Sequence, residues 1–347
     1  ASSQRMLLVE KQSEEKINLA KAFGATALDY DKDGDLDVFV SNNAFQSPKA
    51  CSLLRNDGGM VFTDVSVAAG ITHTGSYRHC GSGDYDGDGW PDVGVGNFLG
   101  PNRLYKNLAN GTFAERAGSA GVSSPNDNYG FVFADFDQDD RLDVLLPKWQ
   151  PTPTTTPTTL MLNDGDGTFT DVSAGAGTGF TTDMGHNVHD VDADGYPDVF
   201  LRTGWPPEEH DDVLYRIEPD GQGGLLALDE SVASGITAQG PTRCHGVSFG
   251  DVDDDGDIDI YLNLGGMAHN PDSVEANVLW ANQGNGRAWV AVDLVGSLSP
   301  RHPAGARTTL VSSADRAIHK LYRVGSGFGN TDSHTQHMRS EERRVGK

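Results

Sequence analysis

The side chains with chemical potential in this chain are carboxylates, and their spacing repeats. A nine-residue pattern with Asp at positions 1, 3, 5 and 9, usually with Gly at 6, occurs at 29–37, 84–92, 135–143, 190–198 and 251–259. Hard oxygen ligands crowded around a sharp turn suit Ca²⁺, which takes roughly six to eight oxygens in flexible geometry, and Gly permits the turn. Each loop therefore reads as a calcium site.

The expected carboxylate ligands are Asp29, Asp31, Asp33 and Asp37; Asp84, Asp86, Asp88 and Asp92; Asp135, Asp137, Asp139 and Asp143; Asp190, Asp192, Asp194 and Asp198; and Asp251, Asp253, Asp255 and Asp259. Position 7 would add a backbone carbonyl from Asp35, Trp90, Arg141, Tyr196 and Asp257. Asp140 replaces Gly at position 6 of the third loop, where a positive φ is expected, and Asp tolerates that conformation better than most residues. Four carboxylates per loop leave little room for a substrate, so up to five Ca²⁺ ions are expected in a structural role. The competing reading is a set of Asp-rich surface turns that bind nothing.

An EF-hand would place a bidentate Glu at position 12. Here that position is Val40, Val95, Leu146, Leu201 and Leu262, in apolar runs that read as short buried strands. The EF-hand reading fails.

The elements that must hold these loops repeat with them. The first Asp residues lie 55, 51, 55 and 61 positions apart, and a period of that length marks a solenoid, propeller or array. Each unit reads as four short strands. The first enters the loop, with Gly24, Gly130, Gly185 or Gly246 five residues before the first Asp and His79 in that place in the second unit. The second strand leaves the loop. The third includes Ser52–Asn56 and Arg103–Asn107, and a tight turn such as Asn110-Gly111 leads to the fourth. Four antiparallel strands with no intervening helix compose a propeller blade. The predicted fold is all-β: a β-propeller over 21–284, with 1–20 as part of a preceding blade and a small β module over 285–337. Residues 338–347 match neither pattern and read as an unrelated tail.

The formal charge of −24 is localised, since the loops hold 24 of the 50 acidic residues. Five Ca²⁺ ions would bring it to about −14, still unfavourable for nucleic acid or an anionic membrane. Cys51, Cys80 and Cys244 are too few for a disulfide framework and lack zinc-site spacing. No segment reads as a membrane span. Loops of this density suit the extracellular space or cell surface, where Ca²⁺ is abundant and weak sites fill.

These loops and strands resemble the FG-GAP (VCBS) repeats of integrin α-subunit propellers, over roughly residues 20–282. Farther on, Ala288-Trp-Val-Ala-Val-Asp-Leu-Val-Gly-Ser297, Ala304-Gly-Ala-Arg307 and Arg323-Val-Gly-Ser-Gly327 resemble the ASPIC/UnbV module that follows such repeats in the cartilage acidic protein family. The resemblance implies adhesion, with a protein or glycan partner, but fold likeness does not transfer a partner.

With the loops and third-to-fourth-strand turns on one face, the opposite face carries the longer connections, where binding residues usually sit. Phe45, Phe98, Trp149, Trp205 and Met267 would form a broken ring of stacking surfaces, or simply cover the blade tops. Arg78, His79, His186, Arg243 and His245 would form a polar rim near the axial channel, suited to an anionic ligand or merely solvated. His186 and His189, three apart on a strand, should not share a metal. The tract 151–159, rich in Pro and Thr, reads as an extended spacer.

The leading function is a calcium-stabilised extracellular binding or adhesion propeller. The alternative is a polysaccharide-degrading enzyme or a non-catalytic domain of one. No nucleophile–base signature, P-loop or HExxH motif is present, although Asp127, Asp183, Glu208 and Glu209 would lie on the candidate face.

Overall fold

The computed structural model describes residues 22–42, 49–59, 61–125, 128–148, 158–178, 185–202, 212–239, 244–264, 276–284, 289–292, 307–311, 317–321 and 336–339. The chain is an all-β propeller of five blades.

The first blade is a meander of β1 (Ala22–Leu28), β2 (Asp37–Asn42), β4 (Ser52–Asn56) and β5 (Phe62–Asp64); β3 (Lys49–Ala50) pairs with β6 (Thr74–Gly75) in a small ribbon. The second contains β7 (Tyr77–Gly83), β8 (Asp92–Asn97), β9 (Arg103–Asn107) and β10 (Phe113–Glu115). The third contains β11 (Val132–Ala134), β12 (Asp143–Leu146), β13 (Thr159–Asn163) and β14 (Phe169–Asp171). The fourth contains β15 (Gly185–His189), β16 (Asp198–Arg202), β17 (Val213–Pro219) and β18 (Leu225–Asp229). In the fifth, β19 (Cys244–Gly250), β20 (Asp259–Leu264) and β21 (Val278–Trp280) form three strands among the described residues.

Every adjacent pair is antiparallel. The connection between blades is not wholly strand and turn, as the sequence suggested. One-turn helices α1 (Ala117–Ala120) and α2 (Ser173–Ala176) follow β10 and β14, each ended by a left-handed glycine, Gly121 or Gly177. An Ala or Val in these short turns fills the edge of the inter-blade core without the length that a strand needs.

The core lies between blades rather than within one. Leu28, Phe39 and Leu53 of the first blade pack on Tyr77, Val93 and Tyr105 of the second, and three further clusters join the second blade to the third, the third to the fourth and the fourth to the fifth. Sheets stacked radially bury both faces, which is why the leading Asp of the second strand is followed by an uninterrupted run such as Val38-Phe39-Val40 or Val144-Leu145-Leu146. The series stops on the outer face of the fifth blade. Leu53, Leu104, Leu160 and Leu214 are buried, whereas Leu279 at the same place is 49 % exposed; Phe39, Leu145 and Phe200 are buried, whereas Tyr261 is 40 % exposed.

Beyond the blades, β22 (Trp289–Val292) pairs with β25 (Gln336–Arg339), and β23 (Arg307–Val311) with β24 (Ala317–Leu321). The first pairing joins Met338 to Val290 and Arg339 to Trp289, so a ladder runs through the boundary expected at 337. Residues 1–20 lie outside the described residues.

Candidate metal centres

In each blade the acidic loop joins the first two strands, and the third-to-fourth-strand turn lies beside it. An added Cβ on Gly58 would meet Asp35, and one on Gly165 would meet Arg141. Loops and turns therefore share one face, as the strand alternation requires.

The loops fold by the same hydrogen bonds each time. The position-6 amide donates to the first Asp: Gly34 to Asp29 (3.1 Å), Gly89 to Asp84 (2.8 Å), Asp140 to Asp135 (3.0 Å), Gly195 to Asp190 (3.1 Å) and Gly256 to Asp251 (2.8 Å). The position-7 amide donates to the position-5 carboxylate at 2.8–2.9 Å in all five. Position 6 has positive φ throughout, including Asp140 at 72°, as its place in the motif demanded. Position 4 is also left-handed, at Lys32, Gly87, Gln138, Ala193 and Asp254 with φ from 56° to 71°. That second inversion went unread because its residue types vary; only the fixed ladder around it forces the conformation.

Carboxylate oxygens converge within 4.8 Å of one another in five groups: Asp29, Asp31 and Asp33; Asp84, Asp86 and Asp92; Asp135, Asp137 and Asp143; Asp190, Asp192 and Asp194; and Asp251, Asp253 and Asp255. Buried oxygens Oδ1 of Asp29, Asp31 and Asp86 accept no hydrogen bond. A buried, unsatisfied carboxylate oxygen is costly, and three hard oxygens aimed at one point fit a hard divalent cation. The donor set thus fits a hard divalent cation such as Ca²⁺.

The ninth Asp does something the motif did not reveal. Its Oδ2 accepts the amide of loop position 2, from Tyr30 to Asp37 (3.0 Å), Tyr85 to Asp92 (3.2 Å), Phe136 to Asp143 (2.7 Å), Val191 to Asp198 (2.8 Å) and Val252 to Asp259 (2.8 Å). Its Oδ1 accepts an amide at the third strand or just beyond it: Asn56, Asn107, Asn163, Ile217 and Asn282, at 2.7–3.2 Å. It clamps the loop to the sheet, and in the first, fourth and fifth loops it stands outside the convergent group of three.

The asparagines carry the clamp onward. Asn107 Nδ2 donates to the Tyr30 carbonyl of the preceding blade (2.8 Å), Asn163 to Tyr85 (2.8 Å) and Asn282 to Val191 (3.1 Å). Ile217 takes this place in the fourth blade and has no such donor. The signal was present as an Asn ending the third strand of four units, but its target lies on another blade.

Electrostatics agree with a cation site. Burial pushes the Asp37 carboxyl up to about 7 and those of Asp92 and Asp143 up to about 8, against the amides that pull the other way. Burial likewise pushes Asp135 up to about 6, with Asp137 and Asp139 adding repulsion. The loops are not equivalent. Lys106 Nζ pairs with Asp86 and with Asp88 (3.0 Å), and Arg141 pairs with Asp139.

The opposite face is only partly described. Phe45, Trp149, Trp205, Met267 and Arg243, with Asp127, Asp183, Glu208, Glu209 and the tract 151–157, lie outside the described residues, as do the side chains of His245 and Cys244. Arg78, His79 and His186 of the expected polar rim are buried, and so is Phe98 of the expected apolar ring, in keeping with a side chain that covers the blade top. The strands converge on the axis here. The Arg78 guanidinium packs 4.6 Å from the Phe23 and Phe98 ring centres and 5.4 Å from Tyr129, a cation–π cage. His79 meets His186 edge-to-face at 5.1 Å, and burial holds His79 well below the usual imidazole range, helped by His186 and Arg78. A Cβ on Gly130 would lie 2.4 Å from His186 Nε2, which explains a glycine at that strand position. His189 instead packs at a tilt against Phe249, with ring centres 5.4 Å apart. Cys51 and Cys80 are free and buried in the first inter-blade core.

The FG-GAP-like repeat profile matches residues 29–95, 84–146 and 190–262. Cartilage acidic protein 1 of Mus musculus is 25 % identical over 307 residues, covering 85 % of this chain and 46 % of the relative; that of Homo sapiens is 24 % identical, with 85 % and 45 % covered. The chain spans less than half the length of these curated relatives. The V. cholerae biofilm matrix protein Bap1 gives a TM-score of 0.44 at 13 % identity, over 85 % of this chain and 44 % of that one, too remote to bear on function.

Proposed function

The chain belongs to the FG-GAP-like repeat family, and from that premise we propose that it is a calcium-stabilised extracellular propeller that binds protein or glycan through the face opposite the acidic loops. One observation carries the calcium reading: five carboxylate groups at equivalent places, each with ligand oxygens within 4.8 Å. The Asp residues at positions 1 and 3 of each loop would hold the ion with the position-7 carbonyl, joined by position 5 in the first, fourth and fifth loops and by position 9 in the second and third, and the position-9 Asp would also brace each loop against its sheet. The ion would supply charge compensation for carboxylates otherwise held together against their repulsion. Among the described residues no helix is long and apolar enough to cross a membrane.

The binding role is supported by the loop geography, since rigid blades hold the second-to-third-strand connections on one face. A pull-down of the purified chain against insoluble polysaccharides and matrix proteins, in millimolar Ca²⁺ and in EDTA, tests it. Retention in Ca²⁺ without released fragments is the expected outcome. Failure of every material to retain the chain would overturn the binding role, and released fragments would establish the polysaccharide-degrading alternative.

A further inference from the structure

On the face that carries the acidic loops, a cleft of about 370 Å³ opens between the first and second blades, within the size range of roughly 300–1,000 Å³ typical of small-molecule sites. Its walls combine one flat ring, Trp90, with Tyr30, Asp31, Arg55 and Asn110, over a floor that includes Val65. Trp90 is unique among the position-7 residues, which are otherwise Asp35, Arg141, Tyr196 and Asp257. Its indole is fixed by Lys32, whose Nζ lies 4.2 Å from the ring centre. Tyr30 is held by stacking on Phe113 at 6.0 Å.

The polar groups offer both donors and acceptors. Asn110 Oδ1 is engaged by Thr112 at 2.7 and 3.0 Å, and no hydrogen bond to a described residue engages its Nδ2. Arg55 is charge-balanced by Asp57 at 2.7 Å, and with Lys32 over Trp90 and Asp31 in the lining the cations and carboxylates are equal in number, which favours no anion.

We propose that this cleft is a saccharide-binding site, taking a neutral pyranose unit whose apolar face lies against Trp90 and whose hydroxyls, each donor and acceptor, meet Asn110 and Arg55. It is separate from the face assigned above to partner binding and does not rest on that assignment. Pyranose hydroxyls match a mixed donor and acceptor set, and a rigid aromatic surface supplies area at little entropic cost.

The test is titration of the full chain, in millimolar calcium chloride, with maltotetraose, cellotetraose and chitotetraose by calorimetry and saturation-transfer NMR. At least one should bind, and Trp90→Ala and Asn110→Ala should each weaken it by about tenfold or more, the size of a lost central contact. Tyr196→Ala, at the equivalent place in the fourth blade, should leave affinity unchanged. If Trp90→Ala loses the wild-type circular dichroism, Asn110→Ala and Arg55→Gln decide. Binding by none of the three sugars, or unchanged affinity in the folded variants, overturns the proposal.

Discussion

Asp143 shows how a carboxylate of a convergent group can also hold the loop to the sheet. It is fully buried and accepts the amides of Phe136 and Asn163. Asp143→Ala would strand both donors, and unsatisfied buried groups cost about 1–3 kcal/mol each. We expect urea denaturation in EDTA to show a loss of about 2 kcal/mol or more, whereas Asp35→Ala, on an exposed side chain, should cost under about 0.5 kcal/mol. Lys106 makes a separate prediction. Its ammonium lies on Asp86 and Asp88, where it opposes a divalent cation. Lys106→Met should tighten the second site by roughly tenfold, the Coulomb effect of one charge on a divalent ion a few ångströms away in high dielectric. A calcium titration should show its weakest step strengthened; an unchanged isotherm would mean that the lysine swings clear.

Blades are joined by an aromatic-to-glycine fit as well as by the asparagine bridges. Where the other blades place Phe39, Leu145, Phe200 or Tyr261, the second has Gly94, and a Cβ there would lie 2.0 Å from Phe131 Cδ1 of the third blade. The Phe131 ring fills the space that the missing side chain leaves. Gly94→Ala should destabilise by about 1–3 kcal/mol, the usual cost of overpacking, read as a lower urea midpoint. Asn163→Leu removes a bridge to Tyr85 and a bond to Leu142 and should cost about 2 kcal/mol. The first change acts on shape and the second on polar satisfaction, so their effects on the same blade junction should be partly non-additive.

Across the whole molecule, calcium bound as proposed would compete with protons for the same carboxylates. Each ion at about 100 times its dissociation constant adds about 2.7 kcal/mol, so EDTA should lower Tm by more than about 10 °C if several sites fill. In EDTA the sign of the pH dependence follows from the raised values of Asp37, Asp92 and Asp143. Acids that bind protons more tightly folded than unfolded stabilise fully below their unfolded pKa and lose that contribution as pH rises through the folded one. The metal-free chain should therefore melt higher at pH 5 than at pH 8. In saturating Ca²⁺ the trend should flatten or reverse, because protons then displace the ion. A metal-free melt that rises with pH would contradict the burial of these groups. The repeat, the five acidic loops, the strand count and the left-handed position 6 were all legible in the sequence, because each depends on residues a few positions apart. The clamp made by the ninth Asp and the inter-blade asparagine bridges depend on partners that only sheet register and blade stacking bring together. So does the burial of Arg78, His79 and His186, which looked like a solvated rim. Local spacing records what one turn or strand requires, whereas the identity of a neighbour some 15 to 90 residues away is set by packing free energy, which no local pattern encodes.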